Sequence, residues 1–470
     1  MSEEAEDKTG LSFKDIVTHK YALLIALVVL GLVTRFAFIW HPPYVVFDEY
    51  YFSTLVKHYF EGTYYFDIHP PFGKLLIALF SYIFRFVPEY NFTRIGAAYP
   101  DNGYILLRVL PNLFGALMPL CIFFFVRSLR GSVLAAFFAG LAIVFENAIL
   151  TQSHFILLDS TLWFFGFLGL ALFFWHRNFS NGPYHLSGSG ICLALAISVK
   201  WTGLGFLGLV WMVSLWDINQ SLGGRKYPYG LVFSRAINLI GIPFLIYTGL
   251  FWIHFALLPN SGPGDESMSP QFQKSLLGSK FADDDSLSEP DFWKKYAELN
   301  RNMYFSNAVL LEGSEYGSKF YEWPLMERPV KFGILRLSDN ELSAVYLLGN
   351  PFIWWFVFFA MLFAVFVWKA EPDDTKVFLY AGWLASYFPF FFIHGVFFLY
   401  HYIPALVFSV VITALFLFDG MKTSPRMRLI LFATLMTVFI AGFLFFMPLS
   451  YGLKISPVEF GMRMWSAGWP

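Results

Sequence analysis

The chain has 470 residues, of which 57% are hydrophobic, 21% aromatic and only 14% charged, with a formal net charge of −1. That composition excludes an ordinary water-soluble core and belongs to a protein solvated largely by lipid; nothing in the charge balance suggests a nucleic-acid surface. The two cysteines, Cys121 and Cys192, both lie inside apolar runs, which argues against a disulfide framework.

In chain order, residues 1–21 form a polar tail of mixed charge that makes a poor signal peptide, so the first apolar helix is expected to be retained and the tail to be cytoplasmic. Apolar stretches long enough to cross a bilayer follow at 22–40, 104–126, 132–149, 155–176, 187–199, 200–216, 235–256, 347–368, 377–394, 399–418 and 429–448, about eleven spans in all. The fold class expected is therefore an all-α polytopic membrane protein. With the N-terminus inside, Lys14, Lys20, Arg127, Arg130, Arg177, Arg225, Lys226, Arg235, Lys369, Lys376, Lys422, Arg426 and Arg428 all fall on the cytoplasmic side, as the positive-inside rule requires. The short run at 71–84 is read as a helix lying on the membrane surface, because a further crossing there would put Arg127 and Arg130 outside. The resulting organisation is a module at 22–256 with a first outer loop at 41–103, a large polar outer loop at 257–346, and a four-helix module at 347–470. Two long loops over one end of a helical bundle place a site at the bundle's outer mouth.

The adjacent carboxylates Asp48 and Glu49, in "FDEYYF", sit within about ten residues of a span, where desolvation raises a carboxylate's pKa and improves it as a base; the competing reading is a solvated loop, or Asp48 capping the helix that follows. Arg108 lies about one turn inside its span; it either snorkels to the interface or grips a phosphate with its planar fork. Lys200, between two apolar helices, needs a ligand or a counter-charge such as Asp159. Asp159 and Glu146 are read first as structural partners. His69 and Lys74 flank "HPPFGK", and His401 and Tyr402 open "HYIPAL"; singly, such residues are most often structural. No metal-ligand spacing, phosphate loop or dinucleotide fingerprint occurs. A divalent ion is compatible with the sequence, but nothing calls for one.

Taken in order, "FDEYYF", "YYFDIHPPFGKLLIAL", "LRVLPNLFGALMPL", "ILLDS", "SVKWTGL", "IHFALLPNSGPGDESMSPQFQ", "YLLGNPFIWW" and "YHYIPAL" resemble the protein O-mannosyltransferase family, membrane glycosyltransferases of the GT-C type, over roughly residues 30 to 410. The resemblance implies an inverting transfer of mannose from a dolichyl or polyprenyl phosphate carrier to Ser or Thr hydroxyls of secretory proteins. It puts Asp48 and Glu49 at the catalytic centre, with Asp48 as base, and Arg108, with Lys200, at the carrier phosphate. His69, Lys74, His154, Asp159, Asp265 of "SGPGD", His401 and Tyr402 are further site candidates. The lipid-linked sugar is the donor substrate; the acceptor protein, membrane lipid and protein-export machinery are the partners it implies. Three departures stand out: the loop at 257–346 is too short for the MIR domains of eukaryotic members, His154 replaces a family arginine, and His394-Gly395 replaces another. The first points to a bacterial or archaeal plasma membrane with the site on the outer face, or to the endoplasmic reticulum if the source is eukaryotic. A transferase using a lipid or glycan acceptor, a transporter, and a non-catalytic partner remain as alternatives.

Overall fold

The structure is a computed structural model, and it describes residues 13–90, 94–179, 182–222, 228–309, 317–368, 373–392 and 396–469. His394 and Gly395, and the loop cations Arg225, Lys226 and Lys369, lie outside these residues. Long helices occupy the apolar stretches: α1 (Phe13–Phe36), α4 (Tyr104–Ser128), α5 (Val133–Val144), α6 (Asn147–His154), α7 (Asp159–Phe179), α8 (Pro183–Val199), α9 (Leu204–Leu222), α10 (Tyr229–Ala236), α11 (Ile242–Leu257), α14 (Pro351–Trp368), α15 (Asp374–Tyr387), α16 (Ile403–Leu415) and α17 (Pro425–Tyr451). Among the described residues six helices are long and apolar enough to cross a membrane, or seven if α5 and α6 form one broken span. The chain is a multi-pass integral membrane protein.

The stretch expected as one helix at 132–149 bends by 57° between α5 and α6. Its physical cause is Glu146: one carboxylate oxygen caps α6 by accepting from Ile149 N at 2.7 Å, and the other accepts from Asn350 N at 2.8 Å. Because this segment is buried around most of its girth, its apolar residues show no helical periodicity, and Glu146-Asn147 is the sequence mark of the break. The stretch expected at 377–394 is also shorter, α15 ending at Tyr387 in front of a short 3-10 turn with Pro389 inside it.

The loop at 41–103, expected to hold at least one helix, carries two amphipathic ones. On α2 (Glu49–Glu61) the buried positions Glu49, Phe52, Ser53, Val56 and Tyr59 fall at helical spacing, and the helix stops at Gly62, whose φ of 67° is free of strain only for glycine. After the Pro70-Pro71 corner, α3 (Phe72–Ile83) buries Gly73, Lys74, Ile77, Ala78 and Ser81. The loop at 257–346 holds α12 (Pro270–Lys274) and α13 (Phe292–Val309).

The fold also contains strands that the all-helical expectation did not include. β1 (Val330–Arg336) pairs antiparallel with β2 (Leu342–Leu347), from Val330 opposite Leu347 to Arg336 opposite Leu342, and β2 pairs with β3 (Lys454–Ile455), just before the terminal α18 (Pro457–Gly461). Only Leu348, Gly349 and Asn350 part the strand "LSAVYL" from the apolar residues of α14, so the short strand is overshadowed in sequence by the span that follows it. The sheet closes over the bundle end where α1 exits: Phe47 N donates to Phe332 O at 2.9 Å and the two rings stack at 4.3 Å.

Charge is segregated along the bundle. One end gathers Asp48, Asp159, Lys200 and His401; the other joins Arg177, Asp217, Arg235 and Asp374, and Ser132 N with Asp419.

Candidate active site

Asp48 stands immediately before α2, in the N-cap position, without a side-chain cap bond. Its carbonyl accepts the amides of Tyr51 and Phe52, which leaves the carboxylate free to point elsewhere. That carboxylate is half-buried, makes no hydrogen bond or ion pair among the described residues, and lies within electrostatic reach of Lys200, Asp159 and Asp67. Burial raises its pKa to about 6; Lys200 pulls it down, and Asp159 and Asp67 push it up further.

Glu49, the next residue, is its opposite in every respect. It is fully buried, and Arg108 grips it with Nε at 2.8 Å and Nη2 at 2.9 Å. Glu49 also accepts from Val46 N and Ile156 N. The remaining donor of Arg108, Nη1, reaches the carbonyls of Ile39, His41 and Pro42 at 3.0 to 3.2 Å, and its guanidinium lies against Tyr104 and Phe155. Each nitrogen of Arg108 thus has a partner among the described residues. In this arrangement Arg108, expected at the carrier phosphate, ties α4 to the corner preceding Asp48, with Glu49 as the carboxylate it holds.

Lys200 occupies the extended break between α8 and the short 3-10 turn leading to α9. Its ammonium contacts both oxygens of Asp159 at 2.9 Å, and Gln152 Nε2 donates to the same carboxylate at 2.8 Å. The pair sits under Tyr400, whose ring centroid is 5.4 Å from Nζ. His401, half-buried, senses both Lys200 and Asp159, and its ring stacks on Tyr400 at 4.4 Å.

A second ion pair forms in the first loop. Lys74 Nζ donates to Asp67 and to the carbonyl of His69, while Tyr51 Oη donates to the other Asp67 oxygen at 3.0 Å. Burial works to raise the Asp67 pKa, but the charge of Lys74 and the hydrogen bonds from Lys74 and Tyr51 outweigh it and hold the carboxylate below its usual range. His69 is pushed down to about 3 by burial first and then by Lys200, so its imidazole is neutral. Asp67 and Tyr51 were not singled out from the sequence; the available signal was an aspartate seven residues before a lysine across a Pro-Pro turn, which folds the two together.

The other candidates lie elsewhere. His154 is fully buried with ring nitrogens 3.2 to 3.3 Å from the carbonyls of Arg35, Phe38 and His41, so it secures the same corner as Arg108. Tyr402 is fully buried between Trp354 and Tyr387. Asp265 accepts from Ser261 Oγ at 2.5 Å and Gly262 N at 3.0 Å. It thereby shapes the "SGPGD" turn that lies on Tyr64 to Phe66: a Cβ on Gly262 would meet Tyr64 O at 2.2 Å, and one on Gly264 would meet Phe66 N at the same distance. Among the described residues no three His, Cys, Asp or Glu side chains converge as a metal-binding set.

The family model described as dolichyl-phosphate-mannose-protein mannosyltransferase matches residues 25–259, and the one for the C-terminal four-span region of protein O-mannosyltransferases matches 292–469. The chain is 36% identical to dolichyl-phosphate-mannose–protein mannosyltransferase 4 of Candida albicans over 283 residues, 56% of this chain and 37% of that protein. It is 34% identical to protein O-mannosyl-transferase 2 of Danio rerio over 272 residues, 55% of this chain and 36% of that protein. The matched segments thus span little more than a third of these relatives. Among solved structures, the Saccharomyces cerevisiae protein O-mannosyltransferase Pmt1-Pmt2 complex bound to the sugar donor superposes with a TM-score of 0.87 at 19% identity, covering 96% of this chain and 93% of that one. The Archaeoglobus fulgidus oligosaccharyltransferase gives 0.57 at 12% identity, covering 93% and 56%. At those identities the likeness is one of fold, the GT-C glycosyltransferase fold. The two family models between them account for most of the sequence, and the chain belongs to the protein O-mannosyltransferase family.

Proposed function

We propose that this chain transfers mannose from a dolichyl-type or other polyprenyl phosphate to Ser or Thr hydroxyls of proteins, with inversion, on the outer face of the membrane. The observation that carries this reading is the half-buried, unpaired carboxylate of Asp48 beside the buried Lys200–Asp159 pair. A hydroxyl is a weak nucleophile, and a carboxylate poised near pH 6 is ionised at neutral pH yet basic enough to take its proton as attack proceeds.

In this mechanism the acceptor oxygen attacks the anomeric carbon of mannose from the face opposite the phosphate. The bond from that carbon to the phosphate oxygen breaks, its electron pair staying on the carrier phosphate. The hydroxyl proton passes to Asp48. Lys200, held in place by Asp159 and Gln152, supplies the positive charge toward which the developing phosphate charge is directed. His401 and His69, both half-buried, lie within electrostatic reach of Lys200 and Asp159. Glu49 and Arg108 position Asp48 without contacting substrate, since the brace fixes the corner from which α2 starts. Membrane lipid supplies the carrier laterally, and the acceptor protein arrives from the aqueous side, by way of export machinery where it is still unfolded.

The test is transfer of labelled mannose from polyprenyl phosphate mannose to a Ser/Thr-containing peptide by the purified chain, with Asp48→Asn as the control. Labelled peptide from the parent and none from the variant is the expected result. Labelling of a lipid or glycan acceptor with no peptide product would remove the protein-acceptor reading, and full activity of Asp48→Asn would remove the base.

A further inference from the structure

The start of α3 packs against the bundle where the Lys200–Asp159 pair lies. A Cβ added at Gly73 would meet Leu158 Cδ2 at 3.0 Å and Val199 Cγ1 at 3.4 Å, and these two residues directly precede Asp159 and Lys200. Lys74, the next residue, is buried, and its ammonium turns to Asp67, itself buried, and to the carbonyl of His69 at 2.9 Å. A buried ion pair stabilises a fold little more than apolar side chains of the same volume would. Its place beside the active site therefore asks for a reason other than stability.

The second oxygen of Asp67 supplies one. It accepts from Tyr51 Oη at 3.0 Å, and Tyr51 N donates to Asp48 O at 3.0 Å. Tyr51 and Phe52 follow Asp48 by three and four residues, the spacing of one helical face, and the Phe52 ring lies over that of His69 at 6.5 Å. The first turn of α2 is thus fastened twice: through Glu49 to Arg108 on α4, and through Tyr51 and Asp67 to Lys74 on α3. Asp48 stands between the two fastenings. Lys200 and Asp159 act on it from the bundle and Asp67 from the loop, and Tyr50, Tyr51 and Tyr400 are within its electrostatic reach.

We infer that Asp67, fixed by Lys74 and bonded to Tyr51, is a positioning residue for sugar transfer: it sets the first turn of α2, and with it Asp48, and holds a negative charge beside that carboxylate. The role presumes Asp48 as the base of mannose transfer, as proposed above. A like charge nearby favours the protonated form of a carboxylate, so Asp67 makes Asp48 a better acceptor for the hydroxyl proton without touching the substrate. Lys74 is what keeps Asp67 ionised, against the burial that works to protonate it.

The test uses the purified full chain in detergent and takes two readings: the pH profile of mannose transfer to the peptide, and the gain in thermal midpoint that Asp48→Asn brings at neutral pH in each background. Asp67→Asn combined with Lys74→Gln removes both charges while leaving groups that can bond each other. It should move the acidic limb of kcat down by about half a unit and shrink the Asp48→Asn gain, neither of which a merely structural pair would do. Tyr51→Phe keeps the Asp67 charge and loses only the fastening, so the limb should stay in place while kcat falls about five- to tenfold at an unchanged donor KM. If the double variant does not fold, Tyr51→Phe carries the test. A limb and a midpoint gain that both stay put in the double variant, or a Tyr51→Phe enzyme with the parent's kcat, overturns the role. A parent that labels no peptide removes the mannose-transfer reading instead, and the midpoint gain still decides whether Asp67 acts on Asp48.

Discussion

Arg108 closes on Glu49 with two hydrogen bonds, at 2.8 and 2.9 Å, at a point where both side chains are fully buried and one residue away from the accessible Asp48. Two adjacent acidic residues are thereby given different tasks: the one on the buried face of α2 is locked, and the one at the helix start is free.

Removing either half of that pair strands a buried charge. Glu49→Ala or Arg108→Met should each destabilise the fold by about 3–5 kcal/mol, and the double variant by clearly less than the sum of the two. Arg108→Lys is no substitute, since an ammonium cannot span both Glu49 oxygens and the carbonyls of Ile39, His41 and Pro42. Thermal midpoints in detergent measure this. A folded, stable Arg108→Lys with a raised donor KM would return Arg108 to the carrier phosphate.

Asp48 should show the reverse trade. Its pKa stands near 6 in the folded chain and about 4 in the unfolded one, so between those values the folded state binds the proton more tightly and stability falls as pH rises. Above pH 6 the cost is fully present, and Asp48→Asn, which carries no charge, avoids it. Screening at a half-buried group limits the gain to about 1 kcal/mol, with an increased thermal midpoint at pH 7.5 and none near pH 4. Activity of the parent should climb through an ionisation near pH 6, and the amide variant should be inactive at every pH.

Lys200 and Asp159 allow folding to be separated from chemistry. Lys200→Met leaves Asp159 uncompensated and should destabilise by about 3–5 kcal/mol. Pairing it with Asp159→Asn removes both charges while Gln152 still has an amide oxygen to bond, so stability should largely return. Activity should not, because the cation facing the leaving phosphate is still absent. Recovery of both stability and turnover in the double variant would confine Lys200 to a structural role.

What could be read beforehand follows from the physics of each feature. A lysine between two apolar helices demands a ligand or a counter-charge, and Asp159 was named as a candidate for the latter, so that pair was legible at a separation of 41 residues. The Glu49–Arg108 brace was not, because both members had attractive functional readings and only the helix phase of α2 decides which carboxylate is buried. The sheet was hidden because only Leu348, Gly349 and Asn350 part β2 from the apolar residues of α14, and the α5–α6 bend because a span buried around most of its girth shows no apolar periodicity for Glu146 to interrupt. "SGPGD" was legible as a motif but not as a fastening, since its two glycines matter through backbone contacts with Tyr64 to Phe66.

That fastening is itself testable. Gly262→Ala drives a methyl to within 2.2 Å of Tyr64 O, a backbone atom that cannot swing aside, and overpacking of this kind costs about 1–3 kcal/mol. The cheapest relief is for the loop beginning at Pro259 to lift from the first loop, which would also break the contacts from Tyr64 N to Asn260 O and from Gly264 N to Tyr64 O. Asp265→Asn should act in the same direction more mildly, because it weakens the turn but leaves the close approach intact. Limited proteolysis should therefore cut between residues 260 and 290 fastest in Gly262→Ala, next in Asp265→Asn and slowest in the parent, with the bundle helices protected in all three. Equal cleavage rates would mean that the turn does not hold the two loops together.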